Sequence, residues 1–343
     1  MPHDAFSSHE IAVTFVKGGA SKCRSHPVAT FIRACFSGMF LGFGGALSTL
    51  IGGGTHGVAE DNPAVTKLLA AACFPVGIIM TVLNSQELLT SNMMSVPMAV
   101  MCKQARWYWI PFNWTLVFFG NLVGTLFWDA LLVKYSGIFT PSYAAYAIKF
   151  ASTKVVTPTW GMILLRGIGC NLLVCLAVWQ ATGAREVISK IIALWIPIFI
   201  FVALGFDHVV ANMYYIPIAI MWGSPDVSTG LYIWKSIIPS FIGNAIGALL
   251  VGVPYRYLFI DDLAVFGPTA ANTGANVDNV ELGPAPSRSH ADEERDAFAG
   301  PSFREQLQLR LGYNRTPGRS RAESTLGGGR TPSVKSGQEG HEK

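Results

Sequence analysis

Charged side chains are scarce in this sequence. They make up 13% of its 343 residues, about half the share of roughly 25% that is usual in soluble domains. Residues 1–260 carry 15 basic and 9 acidic side chains, and the last 83 residues carry the other 22 charges. A body of that size with so few charges cannot cover its surface with groups suited to water. This excludes an ordinary water-soluble enzyme and indicates a protein embedded in a lipid bilayer.

Other absences narrow the function further. The six cysteines show no Cys-x-x-Cys pairing, so we interpret them as small buried side chains and expect no disulfide or zinc framework. No metal-ligand cluster and no nucleophile–base pair is recognisable, which argues against an enzyme and leaves no cofactor to expect. The net charge of +4 is too small and too scattered to predict a nucleic-acid partner.

The apolar residues form six stretches long enough to span a bilayer, which takes about 20 residues. Four are unbroken, at about 28–52, 108–133, 158–182 and 234–257. The other two, at about 66–103 and 188–222, are interrupted by polar residues at 86–92 and 205–208 respectively. Polar backbone at membrane depth is tolerated only where protein buries it or a cavity lies beside it. We therefore predict an all-α membrane protein with six spanning helices, two of them broken.

Basic residues in the short flanks predict the orientation of these helices. Nine lie on the side of the N terminus, and five lie on the opposite side: Lys67, Lys134, Lys149, Lys154 and Lys235. We expect both termini in the cytoplasm. Residues 1–27 would form a cytoplasmic segment with a short interfacial helix at 9–19, residues 28–259 the membrane domain, and residues 260–343 a mostly disordered cytoplasmic tail. No signal peptide is recognisable, so the first span would act as the insertion signal.

The six helices divide into two similar halves. The motif Gly-Asn-x-x-Gly occurs at residues 120–124 and again at 243–247, and the breaks at Thr90 and His208 lie 118 residues apart. Because each half has three spans, an odd number, the halves must be inverted relative to each other. Inverted repeats with paired broken helices place a transport site near the middle of the membrane. The glycines alone would indicate only close helix packing.

Ionisable residues inside the apolar body are functional candidates, because the membrane penalises their charge. Of the seven histidines only His208 lies in this body; it could exchange a proton near neutral pH or simply hold the broken helix. Asp207 is expected to cap the half-helix that follows it. Thr90, Ser91 and Asn92 are expected to cap the half-helix after the first break, where free N–H groups would also attract anions. The full set of ionisable candidates is Glu87, Asp129, Lys154, Arg166, Asp207 and His208.

Two of these charges have competing interpretations. Glu87 is a poor ligand for an anion, so we expect it to accept hydrogen bonds that shape the first break. Lys154 precedes the fourth span and could be an ordinary flanking lysine. At the mouth of a cavity, however, it would concentrate anions and stabilise their charge as they lose water.

The residues around both breaks resemble the signatures of the formate–nitrite transporter family. Residues 206–213, Phe-Asp-His-Val-Val-Ala-Asn-Met, resemble the second signature, and residues 87–92, Glu-Leu-Leu-Thr-Ser-Asn, resemble the first. Residues 171–179 and 243–244 also match in order and spacing, so the resemblance covers about residues 10–258. Two residues depart from it: Leu89 replaces a frequent aromatic residue, and Asp207 replaces a frequent Glu.

The resemblance implies an aquaporin-like fold, a homopentamer with a pore in each protomer, and permeation of small monovalent anions such as formate, nitrite, lactate or hydrosulfide. It implies that His208 is the central pore histidine, Thr90 its hydrogen-bonding partner and Lys154 the vestibule lysine. The other implied pore residues are the polar Asn171 and Asn244, the slit-forming Phe74, Ile78, Leu89 and Phe201, and the supporting Glu87 and Asp207.

We therefore expect proton-linked anion transport. A bare anion in an apolar slit faces a large desolvation cost, so the anion would take a proton, from vestibule water or from protonated His208, and cross as a neutral acid. A fungal-type importer of nitrite in the plasma membrane is the first expectation, and a formate or lactate transporter or channel is the alternative. From another class, the chain could be a membrane scaffold or sensor that signals through residues 261–343.

Overall fold

The structure is a computed structural model that describes residues 5–260. Within this part, six helical segments are long and apolar enough to cross a membrane, as the sequence predicted. The tail predicted at 260–343 lies outside the described residues from residue 261 onward. The fold is all-α, with the six spans arranged as two three-helix repeats.

Four spans are continuous. They are α2 (Pro27–Gly54), α7 (Trp109–Phe127, continued by a π-helical stretch to Tyr135), α9 (Trp160–Gly183) and the segment Thr229–Phe259, which comprises α12 (Thr229–Tyr232), a π-helical stretch (Ile233–Ile237) and α13 (Ile238–Phe259). Two short helices, α3 (His56–Asp61) and α8 (Pro141–Val155), connect spans. All four predicted ranges fall within a few residues of these bounds.

The second and fifth spans are broken, as predicted. The second span consists of α4 (Pro63–Cys73) and α5 (Val76–Leu83), which meet at Pro75, followed after a loop by α6 (Leu89–Met101). The fifth span consists of α10 (Val187–Leu204) and α11 (Val209–Met221). Helix α10 ends at Gly205, whose φ of 78° is a left-handed conformation that glycine adopts without strain.

The position of the first break differs from the prediction. The loop comprises residues 84–88, and α6 begins at Leu89, so Thr90, Ser91 and Asn92 lie inside the first turns of the helix. None of them caps it, and the residue at the cap position is Leu88, whose side chain cannot accept a hydrogen bond. The expectation of a capping role for these three polar residues was therefore wrong.

The repeated glycines let two pairs of helices pack closely. Gly124 on α7 faces α2, where an added Cβ would overlap the carbonyl oxygen of Cys35. Gly247 on α13 faces α9, where an added Cβ would overlap the carbonyl oxygen of Ile168. Small residues of this kind allow backbones to approach without side chains between them. The third helix of each half is thereby held against the first helix of the same half.

The N-terminal helix predicted at 9–19 is longer and better anchored than expected. Helix α1 (Ser8–Arg24) begins with a capping box in which the side chains of Ser7 and Glu10 each accept a hydrogen bond from the other residue's backbone N–H. Its apolar face, including Phe15 and Val16, is buried against α6, α9 and α13. The helix is therefore docked on the protein.

Candidate transport site

The two broken helices meet at His208 and Thr90. His208 Nε2 lies 2.9 Å from Thr90 Oγ1, and both residues are almost inaccessible, with 2% and 0% of their surface exposed. His208 immediately precedes α11, and Thr90 lies in the first turn of α6. The residues that the resemblance pairs are thus brought into contact, although their role in transport stays a prediction.

The second nitrogen of His208 determines which tautomer is present. Nδ1 accepts a hydrogen bond from the backbone N–H of Ala211 at 3.0 Å and so caps α11. Because a neutral imidazole has one acceptor nitrogen and one N–H donor, this contact assigns the proton to Nε2, which then donates to Thr90. The cap is His208, so the expectation that Asp207 caps this helix was wrong.

Asp207 instead forms an ion pair with Lys154. The distance from Lys154 Nζ to Asp207 Oδ1 is 3.1 Å, and Asn212 Nδ2 contacts the same oxygen at 3.4 Å. Lys154 Nζ also donates to the carbonyl oxygens of Gly205 at 3.1 Å and Phe206 at 2.8 Å. The lysine is buried and ties α8 to the loop of the second break.

The first break has a corresponding ion pair. Lys22 Nζ, on α1, donates to Glu87 Oε2 at 2.8 Å. Asn92 Nδ2 donates to the same carboxylate oxygen at 2.7 Å, and also to Asn113 Oδ1 at 2.9 Å. Glu87 therefore accepts hydrogen bonds within the first break, as expected from the sequence.

The first backbone N–H group of each half-helix that follows a break, α6 or α11, donates a hydrogen bond to an asparagine of a neighbouring span. Asn244 Oδ1 accepts from Val209 N–H at 2.8 Å, while its Nδ2 donates to the carbonyl oxygens of Asp207 and Gly167 at 2.9 and 2.8 Å. Asn121 does the same for the first break: its Oδ1 accepts from the backbone N–H of Leu89, and its Nδ2 donates to two carbonyl oxygens, those of Glu87 and Ala34.

These contacts give the register of the internal repeat. The equivalent pairs around the breaks, Glu87 with Asp207 and Asn92 with Asn212, are each separated by 120 residues. By this register the counterpart of Thr90 is Val210, and the counterpart of His208 is Leu88. Thr90 and His208, whose separation of 118 residues first suggested the repeat, are therefore not related by the internal symmetry. They are residues from different halves that contact each other.

Asn171 joins three elements near this contact. From α9, its Nδ2 donates to the carbonyl oxygens of Thr90 and Asn244 at 3.1 and 2.8 Å, and lies 3.8 Å from Met93 Sδ. Its Oδ1 is buried and has no hydrogen-bond partner among residues 5–260. The residue that the resemblance placed near the pore thus holds the start of α6 against α13.

Aromatic rings cover His208 on one side. The ring of Phe201 lies 5.8 Å from the imidazole at an interplanar angle of 20°, and the ring of Phe74 packs edge-on against Phe201 at 5.9 Å. The other two predicted slit residues, Ile78 and Leu89, are also buried. These four side chains can form an apolar constriction next to His208. Their role as a slit in the transport pathway stays a prediction.

A cavity of about 470 Å³ leads to this aromatic pair. His208, Phe74 and Phe201 line it, so it reaches the point where the broken helices meet. As far as the structure describes the chain, the wall of this cavity contains no acidic side chain and four basic ones: Lys67, Lys149, Lys154 and Arg166. From the sequence, Lys67 and Lys149 were only markers of topology. Lys149 lies five residues before Lys154 on α8 and Lys67 lies in a distant part of the chain, and nothing local to either residue indicated a shared cavity.

The fold and the site together define an integral membrane transport protein built from inverted repeats. The sequence profile described as formate/nitrite transporter matches residues 9–257. The uncharacterised transporter YrhG of Bacillus subtilis is 39% identical over 248 residues, which cover 72% of this chain and 91% of the relative. The formate channel FocA of Escherichia coli is 31% identical over 279 residues, which cover 76% and 96%. This chain belongs to the formate/nitrite transporter family.

A solved structure supports the same assignment. A pentameric formate channel with formate bound superposes with a TM-score of 0.60 at 28% sequence identity, covering 68% of this chain and 97% of that one. These relatives are transporters and channels. No group of three or more metal-binding side chains occurs in the part of the chain described here.

Proposed function

We propose that this protein moves a small monovalent anion together with a proton across the membrane, through a pore in each protomer. The observation that carries the proposal is the cavity, which has four basic side chains and no acidic one on its wall and ends at Phe74, Phe201 and His208. Such a wall concentrates anions, while the aromatic pair excludes a hydrated ion. His208 and Thr90 then form the polar step at the centre of the pore.

The hydrogen bonds of His208 favour cavity water as the proton source. A protonated imidazole donates from both nitrogens, so protonation would break the contact between Nδ1 and the Ala211 N–H. An anion that takes its proton from water leaves a hydroxide in the cavity, crosses as the neutral acid and releases the proton on the far side. The net movement is one anion with one proton, and His208 stays neutral throughout.

Formate and nitrite are the two leading substrates. The relatives named for formate support formate as the first substrate to test, and the family description includes nitrite, which the sequence interpretation favoured. The solved pentameric relative supports a homopentamer. The basic residues flanking the spans support an orientation with both termini in the cytoplasm and the cavity open to the outside. The plasma membrane is the location that we propose.

Uptake of labelled formate and nitrite by proteoliposomes tests the proposal. Substituting His208→Phe removes the polar step, and Lys154→Ala removes the ammonium group that pairs with Asp207 and holds the loop before His208. We expect each variant to lose uptake, or to conduct the anion without its dependence on the proton gradient. His56→Phe and Lys235→Ala are matched controls, since neither residue lines the cavity. Uptake with unchanged rates and pH dependence in both test variants would refute the proposal.

A further inference from the structure

The buried lysine of the vestibule has no hydrogen-bond donor left for an anion. An ammonium group carries three N–H donors, and those of Lys154 are taken by Gly205, Phe206 and Asp207. Its charge is also balanced by the Asp207 carboxylate at 3.1 Å. Lys154 therefore contributes little net positive charge to the cavity, and its contacts mainly hold the loop of the second break in shape.

Three other basic residues supply the positive charge of the cavity. Lys67 lies at the start of the second turn of α4, Lys149 on α8, and Arg166 two turns into the fourth span. Within residues 5–260 none of them forms a salt bridge, and their side chains donate no hydrogen bond to that part of the chain. Their donors and charges are thus free to face the cavity.

The same cavity contains a buried hydroxyl without a partner. Tyr215 is 6% exposed and lines the cavity, yet its hydroxyl makes no hydrogen bond within the described residues. Ser48 lines the same wall next to this hydroxyl without completing a hydrogen bond to it within the described residues. An unpaired buried hydroxyl carries a free-energy penalty, which an oxygen atom of a bound anion would relieve.

We propose that Lys67, Lys149 and Arg166, with the hydroxyl of Tyr215, form an anion-binding subsite in the outer cavity, separate from the ion pair of Lys154. This subsite binds the carboxylate or nitrite group before it loses water at the aromatic pair. Lys154 is then a positioning residue, which acts through Asp207 and the loop that precedes His208. The inference rests on the proposed anion transport and assigns its first binding step.

Saturation kinetics in proteoliposomes separate the two roles. In the triple variant Lys67→Gln/Lys149→Gln/Arg166→Gln, we expect the KM for formate or nitrite to rise on the order of tenfold with little change in the maximal rate, because electrostatic attraction into clefts is worth at least that much. The KM should also lose most of its dependence on ionic strength, since the attraction that salt screens is gone. Tyr215→Phe should raise KM by a smaller factor.

Two controls make the result specific. Lys235→Gln removes one basic charge on the same side of the membrane but outside the cavity, and it should leave KM and its salt dependence unchanged. If the triple variant does not fold, the single variants Lys67→Gln, Lys149→Gln and Arg166→Gln are measured in its place. Lys149→Arg keeps the positive charge and should retain the original KM. A KM and a salt dependence equal to those of Lys235→Gln in all subsite variants would overturn the proposal.

The role of Lys154 has its own test. Lys154→Gln leaves the Asp207 carboxylate buried without its partner, so we expect a lower maximal rate with little change in KM. Adding Asp207→Asn removes the unpaired charge, and the double variant should recover a substantial part of the rate. A double variant as inactive as Lys154→Gln would show that the ammonium itself acts on the anion.

The same measurements separate failure of the proposed function from failure of the subsite. If the unmodified protein transported none of the anions, the proposed function would be defeated. If it transported them and the subsite variants had an unchanged KM, only the subsite would be defeated.

Discussion

The two halves of this protein build their helix breaks with the same parts. Each break has a carboxylate, a lysine that pairs with it, and an asparagine five residues after the carboxylate that contacts the same oxygen. In the first break these are Glu87, Lys22 and Asn92. In the second they are Asp207, Lys154 and Asn212. Each break is also closed by an asparagine of a neighbouring span. The halves differ in the lysine: the side chain of Lys22 is 24% exposed, that of Lys154 is 10% exposed, and only the latter also binds two backbone carbonyls.

The halves also differ where the half-helices meet. His208 and Thr90 contact each other, but their counterparts by the repeat register are Leu88 and Val210, which are apolar. Residues related by the repeat therefore provide hydrogen-bond partners for the backbone N–H and C=O groups at the breaks. Any broken span needs such partners at membrane depth. The residues that break the symmetry, His208 and Thr90, supply the polar contact between the two breaks, which the proposed pathway would use. The comparison thus distinguishes contacts that any broken span needs for folding from the contact that we propose serves transport.

The largest expected effect tests whether the two breaks depend equally on their asparagines. In Asn121→Ala or Asn244→Ala, one buried N–H and one buried loop carbonyl lose their partner, and a helical carbonyl loses the second of its two hydrogen bonds. At about 1–3 kcal/mol for each unpaired buried group, each variant should lose several kcal/mol, and we expect most of the protein to aggregate. Size-exclusion chromatography and thermal unfolding in detergent measure this.

A surface asparagine provides the comparison for these variants. Asn84 donates one hydrogen bond in the exposed loop of the first break, so Asn84→Ala should change the midpoint temperature of unfolding only slightly. If only one of Asn121→Ala and Asn244→Ala were severely destabilised, the two breaks would not be equivalent scaffolds, and the comparison between the halves would fail.

A smaller effect is expected from the lysines, and here the halves should differ. Lys154→Met leaves a fully buried carboxylate unpaired, which costs about 3–5 kcal/mol in buried ion pairs. Lys22→Met should cost less, because the first ion pair is more exposed than the second and because the bond from Asn92 to Glu87, at 2.7 Å, is shorter than the 3.4 Å contact from Asn212 to Asp207. Thermal unfolding of both variants measures the difference, and equal losses would show that exposure of the lysine does not distinguish the two breaks.

The spans and their breaks could be predicted from the sequence because they depend on local composition. Long apolar runs mark the six spans, and Gly205 with Asp207 and His208 marks the second break within two residues. The first break was placed too far along the chain, since Thr90 and Asn92 look like capping residues. Their side chains instead point to His208 and Glu87, contacts that local sequence does not reveal.

The shared cavity was beyond prediction for the same reason. Lys67, Lys149 and Arg166 come from three different elements. The two lysines look like ordinary flanking residues in the sequence, and Arg166 was a candidate only as an ionisable residue in an apolar span, so local sequence did not show that the three share a wall. Only the packing of α4, α8 and α9 brings them to one wall. The capping of α6 by Asn121 likewise joins residues 32 positions apart, so the glycine–asparagine motif indicated close packing but not its second role as a cap.

The smallest expected effect concerns the N-terminal ends of the two broken spans at the surface. Glu186 precedes α10, and the backbone N–H groups of Ile188 and Ser189 donate to its carboxylate and lower its pKa. Asn62, at the corresponding start of α4, makes no side-chain capping bond. A carboxyl group whose pKa is lowered on folding stabilises the folded state above its unfolded pKa, and this stabilisation is lost as the pH falls through the folded pKa. Glu186→Gln should therefore slightly lower the unfolding temperature at pH 7.

The pH profile separates this capping effect from a general loss of packing. Gln resembles the protonated carboxyl group, so the difference in unfolding temperature between Glu186→Gln and the unmodified protein should disappear once the pH is below the lowered pKa of Glu186. Asn62→Ala should show no such pH-dependent difference, because no side-chain cap is lost at that position. A Glu186→Gln difference that persisted at low pH would show that the carboxylate does not stabilise α10 through its charge, and the ends of the two broken spans would then be more alike than their hydrogen bonds indicate.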